Sequence, residues 1–247
     1  MSATNTPHSN TSHRARNIVL TGPSRGIGRA TALGLAARGH QLALMGRPSA
    51  ELNELVETLR ASGGTPVVVT ADVRDETAVK SAIGEAVEKL GHVDVLINNA
   101  GMGRYAPFEE LGADEWDHVM AVNVTGVATV VRSMLPHMRA AADGHIINVG
   151  SIRSTETAAT CSAYAASKFA LDALTKTLRL ELDGTGVVVS QICPGGVLTE
   201  FGGIDPTTKP QSWLQPEAIA AAVAMIIEFR GLGLVRDLTI VPEPLRS

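Results

Sequence analysis

The chain has 247 residues, 45% of them hydrophobic and 19% charged, with a formal net charge of −4. That length suits one large α/β domain with a full core, and a pI near 6.0 gives no electrostatic reason to expect nucleic acid or an anionic membrane as partner. Only Cys161 and Cys193 are cysteines and the seven histidines show no ligand spacing, which excludes a disulfide framework and leaves no expected metal. No run reaches ~18 consecutive apolar residues, so no transmembrane helix is expected.

Residues 1–16 are rich in Ser, Thr, Asn and His and lack an apolar run. They read as a disordered tail without a secretory signal, and the protein as cytoplasmic. Residues 17–247 then read as one domain. Short apolar or β-branched runs at 18–20, 42–45, 66–70, 93–97, 145–149, 187–192 and 238–241 predict seven strands. Between them, 26–38, 50–62, 76–90, 124–141, 164–182 and 215–228 carry apolar residues at helical spacing. The strand runs are unbroken rather than alternating, as in a sheet covered on both faces. The predicted fold is α/β: a doubly wound, seven-stranded parallel sheet of Rossmann type.

Thr21-Gly-Pro-Ser-Arg-Gly-Ile-Gly28 follows the first strand and opens the first helix. Glycines there let a dinucleotide pyrophosphate approach the backbone, and the helix N-terminus offers free N–H groups to it. Gly22, Ser24, Arg25, Gly26, Ile27 and Gly28 are the candidate contacts. The second strand ends in Gly46-Arg47, with no carboxylate before Glu51. Arg25 and Arg47 therefore favour NADP(H) over NAD(H), since a guanidinium fork suits a 2′-phosphate. Asp72, after the third strand, is a candidate acceptor for the adenine amino group.

Tyr164 and Lys168 lie four residues apart at the start of a predicted helix, on one face. A neighbouring ammonium stabilises phenolate, so the tyrosine pKa is expected to fall from about 10 toward the operating range. Such a phenol can serve as general acid toward a carbonyl oxygen, or as base in reverse. Ser151 closes the fifth strand, where ligand crevices of such sheets open.

Across residues 17–241 the sequence resembles the short-chain dehydrogenase/reductase family. The matching residues are the glycine turn, Asp72-Val73, Asn98-Asn-Ala-Gly101, Asn123, Ser151, Tyr164-x-x-x-Lys168 and Pro194-Gly-x-x-x-Thr199. The resemblance implies that Tyr164 is the general acid/base, that Ser151 orients the substrate oxygen, and that Lys168 holds the nicotinamide ribose. It further implies that Asn123 keeps a relay water. Asn99, Ala100 and Gly101 would pass under the cofactor, with Asp72 and Val73 beside the adenine and Pro194, Val197 and Thr199 at the nicotinamide. It implies an NADP(H)-dependent enzyme that interconverts a carbonyl and an alcohol on a small molecule, working as a homodimer or homotetramer.

Substrate contacts are expected from Arg104 and Tyr105, from Arg153 and Cys161, and from a Gly- and Pro-rich lid at 195–216. Arg104 and Arg153 point to an anionic carbonyl compound. A 3-oxoacyl-thioester reductase is an alternative, weakened because no Gly-Gly follows the last predicted strand. A sugar-nucleotide epimerase fits the length and glycine spacing poorly. A non-catalytic dinucleotide-binding regulator is the competing class.

Overall fold

Successive residues of a strand point to opposite faces, and here both faces are apolar. In the computed structural model, which describes residues 14–243, β1 (Asn17–Thr21) sends Ile18 and Leu20 to one side and Val19 to the other. The following elements are α1 (Gly26–Ala36), β2 (Gln41–Gly46), α2 (Ala50–Ala61), β3 (Val67–Thr70), α3 (Glu76–Leu90) and β4 (Val95–Asn98). Next come α4 (Ala113–Met120), α5 (Val127–Ala141), β5 (Gly144–Val149), α6 (Ser162–Glu181), β6 (Val187–Pro194), α7 (Pro216–Glu228) and β7 (Asp237–Ile240). The strands form one all-parallel sheet in the order β3-β2-β1-β4-β5-β6-β7. This is the seven-stranded doubly wound fold expected from the sequence.

One core lies under α1, α2 and α7, where Leu35, Leu55 and Val223 meet Leu44 and Ile97. The other lies under α3, α5 and α6, where Ile83, Met134 and Leu171 meet Met45 and Leu96. β1 pairs with β2 on one side and β4 on the other. Chain direction across the sheet reverses there, opening a crevice at the carboxyl ends of the strands.

One helix was not expected. The chain is helical from Ala113, and α4 runs through a π-turn, Ala121–Gly126, into α5. Gly112, Asp114, Asp117 and His118 hide α4 in the sequence, because residues of weak helix propensity dilute its short apolar face. The continuous helix Ala113–Ala141 alone, among the described residues, is long and apolar enough by composition to cross a membrane, with mean hydropathy 1.3 in its best window. Half of that window is packed inside the fold, on the side where Val130, Met134 and Met138 join the core. The expected tail at 1–16 lies outside the described residues up to residue 13. Arg16 is ordered by Asp94, its Nη1 donating at 3.3 Å.

Buried polar side chains pin the sheet to α6. Asn98 Nδ2 donates to Asn148 Oδ1 at 2.8 Å, and Asn148 Nδ2 donates to Thr175 Oγ1 at 2.9 Å. At the opposite end of the sheet, His145 Nε2 is 2.8 Å from Ser190 Oγ, whose own proton goes to the Val235 carbonyl. The imidazole must therefore donate through Nε2, leaving a bare Nδ1 that has no protein partner. Burial, with Arg230 and Arg16 adding to it, holds its pKa at about 3. An unfolded histidine titrates near 6.5, so the native state resists a proton that the unfolded chain accepts. Stability should then fall as pH drops from about 6.5 toward 3, by roughly 1 kcal/mol per pH unit for this single proton. Urea midpoints between pH 7 and 4 should decline less steeply in His145→Asn than in the native protein. Equal slopes would remove His145 from the account.

Candidate active site

The glycine turn is shaped first by the protein itself. Gly22 has φ +64°, and a Cβ there would lie 2.8 Å from the Ala100 Cα. At Gly28 a Cβ would lie 2.1 Å from the Gly22 carbonyl oxygen. Thr21 Oγ1 accepts from both Asn99 N and Ala100 N at 3.0 Å. Asn99 Nδ2 donates back to Gly22 O at 2.8 Å. The turns after β1 and β4 are thus locked together beside the crevice.

α1 starts differently from its neighbours. Ser49 caps α2 and Asp75 caps α3 through their side chains, with Glu51 and Glu76 in the first turns. α1 has neither a side-chain cap nor an acidic residue in its first turn. Its N–H groups and positive dipole end face the turn without a protein anion, which fits the pyrophosphate of a dinucleotide.

Tyr164 is only 8% exposed. Tyr105 lies edge-on at 5.9 Å between centroids and Phe201 at 5.4 Å. The Lys168 ammonium is buried, donates to the Val149 carbonyl at 2.9 Å, and lies 5.6 Å from the Tyr164 centroid. Asn123 occupies the π-turn. Its amide grips the Met102 backbone in both directions at 2.8 Å and donates to Ser167 Oγ at 2.9 Å. Ser167 in turn donates to the Tyr164 carbonyl at 2.7 Å. Ser151 Oγ accepts from Arg153 N at 3.1 Å, and its own proton is directed to the side of Tyr164.

Electrostatics reverse one expectation. Burial drives the Tyr164 phenol above its ordinary pKa; Tyr105 adds to this, and a Ser151 hydrogen bond and Arg153 oppose it. Burial also brings Lys168 down to about 8, with Cys193 pulling the other way. The expected lowering of the tyrosine by its lysine is therefore not found in the protein on its own. Desolvation of the phenolate is the largest cause of the shift. Tyr105 is pushed up to about 12 by the same cause.

The short-chain dehydrogenase family model matches residues 16–208. An uncharacterised oxidoreductase of Staphylococcus epidermidis is 34% identical over 226 residues, covering 91% of this chain and 96% of the relative. Sepiapterin reductase of Chlorobaculum tepidum is 33% identical over 213 residues, covering 83% and 87%. Among solved structures, an alcohol dehydrogenase of Thermococcus sibiricus complexed with 5-hydroxy-NADP superposes with TM-score 0.87 at 30% identity, covering 95% and 99%. The chain belongs to the short-chain dehydrogenase/reductase family.

In this short-chain dehydrogenase/reductase the other expected site residues fall in distinct places. Arg47 is exposed at the end of β2. Arg25 is exposed and paired with Glu200 at 3.2 Å. Asp72 is held bidentately by Arg74, at 3.0 and 2.7 Å, which lowers it to about 2. Val73 packs on Gly126 of the π-turn, where a Cβ would lie 2.8 Å away. Val197 bridges to Leu214, Pro194 ends β6, and Thr199 presses on Gly26. Arg153 reaches the Thr157 carbonyl at 3.1 Å and lies 4.0 Å from Glu156. Cys161 is a buried wall residue whose thiol donates to the Ala158 carbonyl at 2.9 Å. Arg104 is exposed. Its guanidinium is taken by Glu115 of α4, at 2.5 Å, a partner invisible as long as that helix was.

An apolar hollow of about 420 Å³, lined by Ala106, Phe108, Thr160, Ala165, Ala166 and Phe169, adjoins this region. Its α6 residues lie on the helix face turned away from Tyr164 and Lys168, so it is not the catalytic crevice. The sequence reading missed Ser167 and Arg74. Only Arg74 carried a signal, lying two residues beyond Asp72 as an Asx-turn partner.

Proposed function

We propose that the protein is an NADP(H)-dependent reductase that interconverts a small carbonyl compound and its alcohol. The observation that carries this reading is the buried Tyr164 phenol, with the Lys168 ammonium 5.6 Å from its ring centroid and Ser151 acting on it at the carboxyl edge of the sheet. A reduced nicotinamide, when bound, supplies the hydride. Gly22, Ser24, Gly26, Ile27 and Gly28 would hold its pyrophosphate at the α1 N-terminus, Asp72 and Val73 the adenine. Asn99, Ala100, Gly101, Pro194, Val197 and Thr199 would border the nicotinamide half. Tyr164 then donates its phenolic proton to the carbonyl oxygen, and Ser151 donates to the same oxygen and fixes its position. Lys168 holds positive charge beside the phenolate that results. With both ends of the Asn123 amide engaged, a relay water at that residue would rest on its main-chain carbonyl.

The preference for NADP(H) rests on Arg47 and Arg25. The Arg25–Glu200 pair is exposed, and such pairs contribute about 1 kcal/mol or less, so a 2′-phosphate can take the guanidinium. A charge-assisted fork to phosphate is worth about 1.5–3 kcal/mol. NADPH should therefore bind about 10- to 150-fold more tightly than NADH, and Arg47→Ala should remove most of the gap. Titration showing equal affinity for both would sink the assignment.

The substrate reading rests on Arg153, which acts on both tyrosines, and on Arg104, whose pair with Glu115 is exposed like that of Arg25, with Tyr105, Phe201 and Cys161 as walls and 195–216 as lid. An NADPH-consumption screen pairing carbonyl acids with their methyl esters tests it. Preference for the acids supports an anionic substrate held by Arg153, and preference for the esters ends that part while keeping the reductase. No turnover across the panel, in either direction, ends the reductase reading. Two buried free cysteines suit a reducing, cytoplasmic setting. Exposed Phe169 and Leu180 on α6 suit a homodimer or homotetramer formed through that helix.

A further inference from the structure

The lid contains a cation that no carboxylate holds among the described residues. Lys209 is 8% exposed. Its ammonium donates to the Thr199 carbonyl at 2.5 Å, approaches the Phe201 carbonyl at 3.5 Å, and lies 5.6 Å from the Trp213 ring centroid. Trp213 is itself fixed, covering Gly196 so closely that a Cβ there would lie 2.4 Å from the indole. Leu214 N donates to Gly196 O at 2.9 Å, and Leu198 N to Leu214 O at 2.9 Å. A buried ammonium costs desolvation energy, and burial lowers its pKa here. Carbonyl oxygens and a ring face are what offset that cost.

The two carbonyls flank Glu200, and their residues face different parts of the site. Thr199 presses its methyl on Gly26 of the cofactor turn, 2.9 Å from where a Cβ would stand. Phe201 lays its ring against Tyr164. Directly afterwards Gly202 and Gly203 take φ +77° and +72°, a left-handed pair that lets the chain turn back and gives the segment little stiffness of its own. We propose that Lys209 is a positioning residue that ties segment 199–201 across the crevice, setting the Thr199 contact with the cofactor turn and the Phe201 contact with the catalytic phenol in one register. The proposal rests on the reductase reading above for its catalytic consequence, but not for its structural one.

The test compares Lys209→Met, Lys209→Gln and Lys209→Arg in the full chain, by hydrogen–deuterium exchange without cofactor and by NADPH titration. Loss of a charged donor from two backbone carbonyls should speed exchange of the amides at 198–203 about tenfold or more in the Met variant, with α3 unchanged. NADPH affinity should fall with it, the Gln variant should be intermediate, and the Arg variant should restore both. With an active carbonyl substrate, the Met variant should lose kcat as well as raise KM, because Phe201 no longer closes on the phenol. Unchanged exchange at 198–203 would overturn the proposal. Exchange that rises equally in α3, or failure of the Met and Gln variants to fold, would also overturn it, by making Lys209 a general stabilising residue. A native protein that reduces no carbonyl removes the reductase reading alone, and the exchange data still decide on Lys209.

Discussion

Tyr164→Phe should lower kcat for carbonyl reduction by about 10²–10⁴-fold and leave NADPH affinity nearly unchanged. The substitution keeps the ring that packs between Tyr105 and Phe201 and removes only the proton donor. Ser151 retains its bond from the Arg153 amide, so the strand end should not rearrange. The pH profile of the native enzyme carries the same assignment. Reduction needs a protonated phenol and a charged Lys168. Burial keeps the phenol protonated well above neutrality, whereas Lys168 loses its charge as pH rises through about 8. Reductive kcat/KM should then be flat below about 8 and decline above it, and Lys168→Arg, if folded, should move the decline upward because guanidinium stays charged. Alcohol oxidation, which needs the phenolate, should accelerate with pH. Equal reduction rates in native and Phe proteins would overturn the mechanism.

Gly28→Ala should come close to abolishing dinucleotide binding, for a steric reason that involves no ligand atom. The added methyl would meet the Gly22 carbonyl oxygen at 2.1 Å and Asn99 Nδ2 at 2.5 Å. The first is backbone, and the second is a side-chain amide held in place by its bonds to the Thr21 and Gly22 carbonyls. α1 must therefore move away from β1, which breaks the Asn99–Gly22 bond of 2.8 Å and displaces the uncapped N-terminus. Overpacking of this kind costs about 1–3 kcal/mol, or roughly 2–10 °C in Tm for a chain of this size. Losing one or two of the bonds that the phosphate-facing amides offer to a charged group, about 1.5–3 kcal/mol each, is enough for about a 10²-fold loss of affinity. Gly34→Ala supplies the control on the same helix, because its nearest neighbours are 3.7 Å away; it should bind normally and melt no lower. If Gly28→Ala bound NADPH like the native chain, the internal contacts would not be what demands that glycine.

The strands and most helices were legible because burial on both sheet faces leaves unbroken apolar runs, and the crevice followed from their order. α4 was not, since its one buried side chain is Val119 and polar residues surround it. Without α4, the Glu115 partner of Arg104 was not visible either. The tyrosine and lysine were placed correctly on one helix face, yet the direction of the phenol's pKa came out opposite. Helical spacing shows the cation four residues away but not the desolvation that Tyr105, Phe201 and the sheet impose. Arg25 and Glu200 are 175 residues apart, and nothing local announces such a pair. Lys209 is the same case within a loop, because a lysine between prolines reads as solvated until its carbonyl partners are folded around it.

The chain has just two tyrosines, and both belong to one aromatic cluster, Tyr105 and Tyr164 with centroids 5.9 Å apart. The near-ultraviolet tyrosinate band is therefore a label for the active site and for nothing else. Each phenolate opposes the ionisation of the other, as Tyr105 does for Tyr164, so the band reports two linked protons rather than two independent ones. Burial keeps both phenols protonated well above neutrality, so the band emerges only in strong alkali and its onset marks the opening of this one cluster.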